Sequence, residues 1–204
     1  MAEIGLFPLG LVLLPGERVP LHVFEPRYEE LIGECLEGGR AFGLVLDDAS
    51  GLREVGTTAA VVDVLERFED GRLDIVVEGR ERFRVVRETE GRSFRTAEIS
   101  PLRDAGDQPS AEEVERCLAA YGRLAEAAGA ELQEPDPGDE GLCYWIAARV
   151  DFGADVKQEL LELGSERERT TRLAELLDKA RGAVRFARTA RERASGNGRV
   201  EPPG

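Results

Sequence analysis

Serine and lysine side chains, which together can perform nucleophilic catalysis and phosphate binding, are few in this chain. Its lysines are Lys157 and Lys179, and its serines are scattered along the sequence. A phosphate-binding Walker loop requires glycines followed by a lysine and then by a hydroxyl residue. Here Gln158 follows the first lysine and Ala180 follows the second, so neither lysine stands in such a loop. We therefore expect no ATP hydrolysis. The two lysines and the scattered serines also give no sign of a serine–lysine peptidase site, so we predict that the chain is not an enzyme.

The single histidine and the three cysteines are the remaining candidates for metal binding or acid–base catalysis. His22 could exchange a proton with a neighbouring carboxylate, but a lone histidine is more simply explained as a strand residue satisfied by backbone groups or water. The cysteines lie far apart on apolar helical patterns, which is typical of reduced core thiols in a cytoplasmic protein. We predict no catalytic residue, no metal site and no cofactor. The cysteines are Cys35, Cys117 and Cys143.

The overall charge and the amino terminus argue against several classes of partner. The net charge is -14, from 41 acidic and 27 basic side chains, so the chain is not expected to be a general nucleic-acid binder. The opening MAEIGLF lacks the basic and apolar segments of a secretory leader, and no apolar run is long enough to span a bilayer. We expect a cytoplasmic protein without a membrane partner.

The most informative pattern lies in residues 7–46, where prolines interrupt apolar segments. Proline has no N–H, so these segments are expected to form edge strands and turns, with Pro15-Gly16 as a tight turn. Pro26 suits the first turn of a helix, and apolar residues then recur at helical spacing until a pair of glycines permits a left-handed cap. The sequence therefore predicts one helix at about 26–38 within a β-rich region.

Later in the chain the apolar period changes from that of strands to that of helices. In the first half apolar residues alternate as strands require, and Asp70-Gly71 marks a hairpin turn. In the second half Ser110 and Ser165 each precede a helical pattern with an apolar face, as capping residues do. The predicted division is a β-rich unit at 1–104, a helical unit at 105–194 and a disordered tail at 195–204.

Three segments, Phe7–Leu9, Leu14–Gly16 and Pro20–Tyr28, have the sequences FPL, LPG and PLHVFEPRY. This order closely resembles the opening signature of the amino-terminal substrate-recognition domain of the ATP-dependent protease Lon. The likeness extends over residues 4–192 and includes VEGRERFRV at 77–85. It implies an α+β fold, in which a curled β-sheet pseudo-barrel of the PUA-like kind is followed by an α-helical bundle lobe. It also implies a stand-alone domain protein, lacking the ATPase and peptidase domains of that enzyme.

The resemblance implies non-enzymatic recognition of exposed hydrophobic or unfolded polypeptide segments, in an adaptor or holdase role, with a protease or chaperone as a further partner. In a strand that is buried on one face, apolar and polar residues alternate. The residues beside the prolines are consecutively apolar, so some of their side chains are expected to stay outside the core. These side chains would form a shallow groove or open strand edge that accepts extended peptide. Ordinary core packing is the alternative interpretation of the same residues. The candidate peptide-binding residues are Leu13, Leu14, Pro20 and Leu21.

Two charged sets complete the candidate sites. Glu25 and Arg27 stand at the start of the predicted helix and are expected to form a structural clasp by ion pairing. Arg181, Arg185 and Arg188 lie on one face of the last helix, where they either complement the helix dipole or bind an anion. The second interpretation supports an alternative function, a PUA-like RNA-binding module that uses the basic C-terminal helix, although the net acidity disfavours nucleic acid as a partner.

Overall fold

The computed structural model describes residues 2–135 and 141–196. Helical periodicity indicates that a segment has an apolar face, but it does not indicate which neighbour covers that face. For this reason the sequence-based division differs from the structure, in which residues 141–164 group with the sheet and not with the later helices. The described residues form two compact units, one of 2–105 with 141–164 and the other of 106–135 with 165–196.

Six strands and five helices are present in the described residues. None of these helices, as far as the described residues go, is long and apolar enough to cross a membrane. In chain order the elements are β1 (Ala2–Leu9), β2 (Arg18–Val23), α1 (Pro26–Gly38), β3 (Phe42–Asp48), β4 (Gly51–Arg67), β5 (Leu73–Thr89), β6 (Thr96–Pro101), α2 (Ala111–Ala128), α3 (Leu142–Ala147), α4 (Ala154–Glu162) and α5 (Glu166–Gly196).

All six strands lie in one sheet of the first unit, in the order β2-β5-β4-β3-β1-β6. Strands β1 and β3 are parallel, and the other neighbours are antiparallel. The 17-residue strand β5 pairs with β2 along its first part and with β6 along its last part. Because β6 also pairs with β1, the sheet curls back on itself. This arrangement confirms the predicted α+β fold and its curled pseudo-barrel.

Helix α1 packs on the inner face of β2, β5 and β4. Its residues Tyr28, Leu31 and Ile32 are buried in one cluster with Ile75 and Val77 of β5. The helix begins at its proline and ends before a glycine with φ of 59°, as the sequence predicts. Burial of this helix therefore fixes which face of the three strands looks inward and which looks outward.

The loop between β1 and β2 folds across β5. The Gly16 N–H donates to the Gly79 carbonyl at 2.9 Å, and the Gly79 N–H donates to the Glu17 carbonyl at 2.9 Å. A Cβ at Gly79 would lie 2.2 Å from the Leu14 carbonyl oxygen and 3.1 Å from Leu13 Cγ, so the loop can approach only a glycine this closely. The predicted turn at Gly16 is present, with φ of 77°. These contacts determine where β2 begins.

Three side chains connect α4 and the segment after it to the sheet. Lys157 Nζ donates to Glu17 Oε1 at 2.6 Å in a largely buried ion pair. The Gln158 amide donates to the Val55 carbonyl of β4 at 3.1 Å. The buried Arg82 of β5 donates to carbonyls at and just beyond the end of α4. These bonds explain why α4 belongs to the sheet unit.

The second unit contains α2 and α5. Helix α2 begins with the predicted capping box, in which the Ser110 hydroxyl accepts the Glu113 N–H and the Glu113 carboxylate accepts the Ser110 N–H. Arg167, near the start of α5, pairs with Glu113 at 3.0 Å, and further along Arg123 pairs with Asp178 at 3.0 Å. The two helices therefore run side by side in the same direction.

Helix α5 is longer than the sequence predicts. It continues to Gly196, so the first two residues of the predicted tail at 195–204 are helical. Helix-forming residues such as Arg and Ala fill the stretch just before the tail, so nothing there ends the helix earlier. Residues 197–204, the rest of the predicted tail, lie outside the described residues.

Candidate polypeptide-binding surface

The structure buries three of the four residues that the sequence predicts as peptide contacts. Leu13 and Leu14 are 1% and 0% exposed and Leu21 is 9% exposed, whereas Pro20 is exposed. The two loop leucines are buried because the loop folds across Gly79, and Leu21 is buried because it points to the α1 side of β2. The prediction of a groove on these leucines is therefore corrected, since they belong to the core.

The opposite side of the same strands is exposed. On β2, Pro20 and His22 alternate with the buried Leu21 and so point away from α1. Pro20 lies opposite Val76 of β5, and His22 lies opposite Asp74. Within the described residues β2 pairs only with β5, so it forms an edge of the sheet. We call this side the outer face; its apolar and aromatic residues are Pro20, His22, Phe24, Val62, Leu65, Phe68 and Val76.

Two bulges in β4 add apolar side chains to the outer face. The register of β4 against β5 shifts three times, and the last two shifts each leave one extra residue on β4, first Val62 and then Leu65. Both are exposed, at 38% and 58%, whereas Val61 and Val64 beside them pack against the core. Bulges are common next to functional sites because they turn a side chain in a new direction. Two apolar doublets within an alternating strand are the sequence signal for this feature, and the sequence-based prediction missed it.

Aromatic side chains border one end of the outer face. Phe24, immediately after β2, is 60% exposed. The His22 ring stacks 5.8 Å from the Phe24 ring and meets the Phe68 ring edge-on at 6.1 Å. His22 Nδ1 lies 2.5 Å from Asp74 Oδ1, which holds the imidazole against the strand. These contacts give the histidine a packing role and require no catalytic explanation.

Glu25 and Arg27 form the expected ion pair at the start of α1. The Arg27 guanidinium lies 2.6 Å from Glu25 Oε2, and its Cζ lies 4.6 Å from the centre of the Tyr28 ring. Burial raises the pKa of Tyr28, and the neighbouring Arg27 charge partly opposes this shift. Both charged side chains of the pair are well exposed, and exposed pairs contribute little because water and salt screen them. The pair is present, but its expected contribution to stability is small.

We predict that Arg27→Ala lowers the free energy of unfolding by less than about 1 kcal/mol, because an exposed ion pair and one cation–π contact are lost without burying a charge. Urea denaturation monitored by circular dichroism would measure this. Arg40→Ala is a suitable control, since Arg40 is exposed near the other end of α1 and lies 3.9 Å from Glu34. A loss several times larger than that of the control would show that the pair holds the helix start in place.

The three arginines of the alternative anion site do not share one site. Arg185 and Arg188 line a shallow groove of about 460 Å³ together with Glu126, whereas Arg181 is half-buried and is not part of the lining. The Glu126 carboxylate and the carbonyl end of α2 make this groove less favourable for an anion. Phe186 on the same helix is 77% exposed, which suits base stacking. An RNA-binding role therefore depends on α5 alone.

The cysteines contribute no reactive site. Cys35, Cys117 and Cys143 are all buried, and none of them forms a disulfide. Burial raises the pKa of Cys117 to about 12, so its thiol stays protonated and unreactive in the folded protein. Among residues 2–135 and 141–196, no group of three or more histidine, cysteine, aspartate or glutamate side chains is placed to hold a metal ion.

The model of one protein family, the substrate-binding domain of the ATP-dependent protease La (LON), matches residues 3–179. The chain belongs to this family. The Lon protease of Cytophaga hutchinsonii is 24% identical over 192 residues, covering 83% of this chain and 23% of the relative. The Lon protease of Anaeromyxobacter dehalogenans is 28% identical over 205 residues, covering 91% of this chain and 24% of the relative. The chain thus spans about a quarter of the length of these relatives.

Solved structures of Lon N-terminal domains share the fold. The Lon N-terminal domain protein from Xanthomonas campestris is 26% identical, with a TM-score of 0.66 over 85% of this chain and 97% of that chain. The N-terminal domain of the Lon protease from the Mycobacterium avium complex is 17% identical, with a TM-score of 0.64 over 89% of this chain and 98% of that chain. At this lower identity the second likeness shows the fold alone. Family membership confirms the resemblance found in the proline-rich signature.

Proposed function

We propose that this domain recognises exposed apolar segments of polypeptides by binding them on the outer face, without cleaving them. Membership of a substrate-binding-domain family supports a recognition role. The lysine and serine spacing gives no reason to assign ATP hydrolysis or peptide cleavage to the domain. An adaptor would pass the bound segment to a protease or chaperone, and a holdase would keep it from aggregating; both would use the same surface.

The exposed apolar side chains of the outer face carry the proposal. Phe24, Leu65 and Val62 are each more than one-third exposed. Val62 and Leu65 lie on β4, and Phe24 directly follows the edge strand β2. Single apolar residues on a surface are normal, but a group on one face usually marks a binding surface. Apolar contacts of this kind accept many different side chains, so they suit recognition without a strict sequence.

Pro20 limits how an extended segment can bind at this edge. A strand added to β2 would form main-chain hydrogen bonds, but proline has no N–H to contribute at this position. A proline on an edge strand also discourages strand pairing between copies of the chain. We therefore assign most of the binding to side-chain contacts on the outer face, with β2 as a boundary and not as a full pairing partner.

Titration with a fluorescent unfolded polypeptide that carries no charged side chains, at low and high salt, tests the proposal. The wild-type domain should bind with nearly the same Kd at both salt concentrations, because apolar contacts are not screened. Leu65→Ser should raise the Kd about fivefold, since it removes about 1 kcal/mol of apolar contact. Phe186→Ser is the control: it removes an even more exposed apolar side chain from the other unit and should leave the Kd unchanged. Both variants should keep the wild-type Tm.

An unchanged Kd for Leu65→Ser would exclude the outer face as the site. Single-stranded RNA titrated in the same way tests the alternative function, because affinity that depends on phosphate contacts falls steeply with salt. Salt-sensitive RNA binding that is lost in Phe186→Ser, without any polypeptide binding, would transfer the function to the basic helix α5.

A further inference from the structure

We infer that the outer face selects polypeptide segments in which basic side chains stand beside the apolar ones. This inference rests on the proposed function and adds to it the charge of the preferred partner. Its basis is the distribution of charge around the exposed apolar side chains, which is not balanced between acidic and basic groups.

Two carboxylates of β4 directly follow its two exposed bulge residues. Asp63 lies opposite Val76 and Glu66 lies opposite Asp74, so both carboxylates share the outer face. Both side chains are exposed, and neither has an ion-pair partner among the described residues. Asp63 accepts a hydrogen bond from the adjacent Val64 N–H at 2.9 Å. This backbone donor is uncharged, so it does not neutralise the negative charge of Asp63. Two negative charges therefore stand free beside apolar side chains.

The basic side chains around the face already have acidic partners. Arg18 and Arg80 both pair with Glu78, at 2.6 and 2.7 Å, at the end of the face far from Phe24. Arg72 pairs with Asp70 at 2.8 Å in the turn between β4 and β5. A basic side chain held in this way is not free to neutralise the carboxylates of β4.

The other basic residue nearby, Arg67, does not neutralise them either. It lies opposite the buried Leu73, so its side chain leaves β4 on the side away from Glu66. Glu69 in the turn is a further exposed carboxylate without an ion pair among the described residues. The outer face is therefore an apolar surface with an excess of negative charge along β4.

A partner with apolar and basic side chains complements this surface. An extended segment presents a side chain on one face at every second residue, about 7 Å apart. Such a segment can place an apolar group against Leu65 and a cation near Glu66 at the same time. Arginine suits the position because its guanidinium can form two hydrogen bonds to a carboxylate and can stack on a ring such as that of Phe24. Acidic side chains would be repelled by the same carboxylates.

Three peptides with one apolar core and flanking Arg, Gln or Glu residues test the inference. At low salt the Arg peptide should bind wild-type protein about tenfold more tightly than the Gln peptide, and the Glu peptide should bind most weakly, as expected for two exposed ion pairs. The double variant Asp63→Asn, Glu66→Gln should reduce the preference for Arg to about twofold or less. Glu37→Gln removes an exposed charge from α1 and should retain the full preference. At about 1 M salt the preference should also shrink, because the Debye length falls to about 3 Å.

The outcomes separate the two proposals. Equal affinities for the three peptides, with binding still weakened by Leu65→Ser, would overturn the charge preference and leave the proposed function standing. Failure of all three peptides to bind would overturn both. A preference for Arg that persists in the double variant would show that Asp63 and Glu66 are not its source.

Discussion

Replacing Arg82 with alanine should lower the free energy of unfolding by about 3 kcal/mol, because a buried charged donor is removed and its acceptors stay behind. The guanidinium donates to the Leu161 carbonyl at 2.7 Å and to the Leu163 carbonyl at 2.8 Å, and it also pairs with Asp104. Asp104 is partly exposed, so water offsets part of the loss, but the arginine itself is only 6% exposed. Urea denaturation would measure the change.

Two further variants make this prediction specific. Arg84→Ala, two residues along β5, breaks an exposed pair with Glu54 and should leave the stability nearly unchanged. Arg82→Lys keeps the charge but has one ammonium nitrogen in place of the two guanidinium nitrogens that reach the acceptors, so its stability should lie between those of wild type and Arg82→Ala. If Arg82→Ala proved as mild as Arg84→Ala, the connection of α4 to the sheet would not depend on this side chain.

Gly79→Ala should cost about 3 kcal/mol, through steric conflict and not through loss of a contact. The new Cβ would lie 2.2 Å from the Leu14 carbonyl oxygen, which is backbone and cannot rotate away. The loop would have to move, and with it the hydrogen bonds that join Gly16 and Glu17 to Gly79. Because Glu17 also pairs with Lys157, α4 should loosen with the loop. Thermal and urea unfolding would both report the loss.

The same substitution elsewhere should have the opposite sign. Gly33 lies within α1, and a Cβ there would meet no other atom within 4 Å. Gly33→Ala should therefore raise stability by about 0.5 to 1 kcal/mol, since alanine favours the helix over glycine. If alanine lowered the stability by a similar amount at both positions, steric conflict with the loop would not be the cause of the loss at Gly79.

Features that depend on neighbouring residues were predictable from the sequence. Helix α1 begins at Pro26 and is capped by Gly39, and Ser110 caps α2, as expected. The hairpin turn also lies at Asp70-Gly71. Each of these features requires only one or two residues within a few positions of each other, so local chemistry determines them. The family signature extended these local predictions to the whole fold.

The binding surface was less predictable because it depends on residues far apart in sequence. The run containing Leu13 and Leu14 suggests exposure, but Gly79 on β5 allows the loop to pack against the strand and bury both. Val62 and Leu65 are exposed because of the register between β4 and β5, which is a property of two strands together. The pattern of one strand reveals the apolar doublets but not the direction in which they point.

Photo-crosslinking to an unfolded polypeptide tests the outer-face site most directly. A benzoylphenylalanine would replace Phe24 in one variant and Phe186 in another; both side chains are strongly exposed, so the two replacements are matched. The proposed function predicts efficient crosslinks from position 24 and few from position 186. Crosslinks from position 186 alone, or from neither position while the polypeptide is bound, would contradict recognition on the outer face.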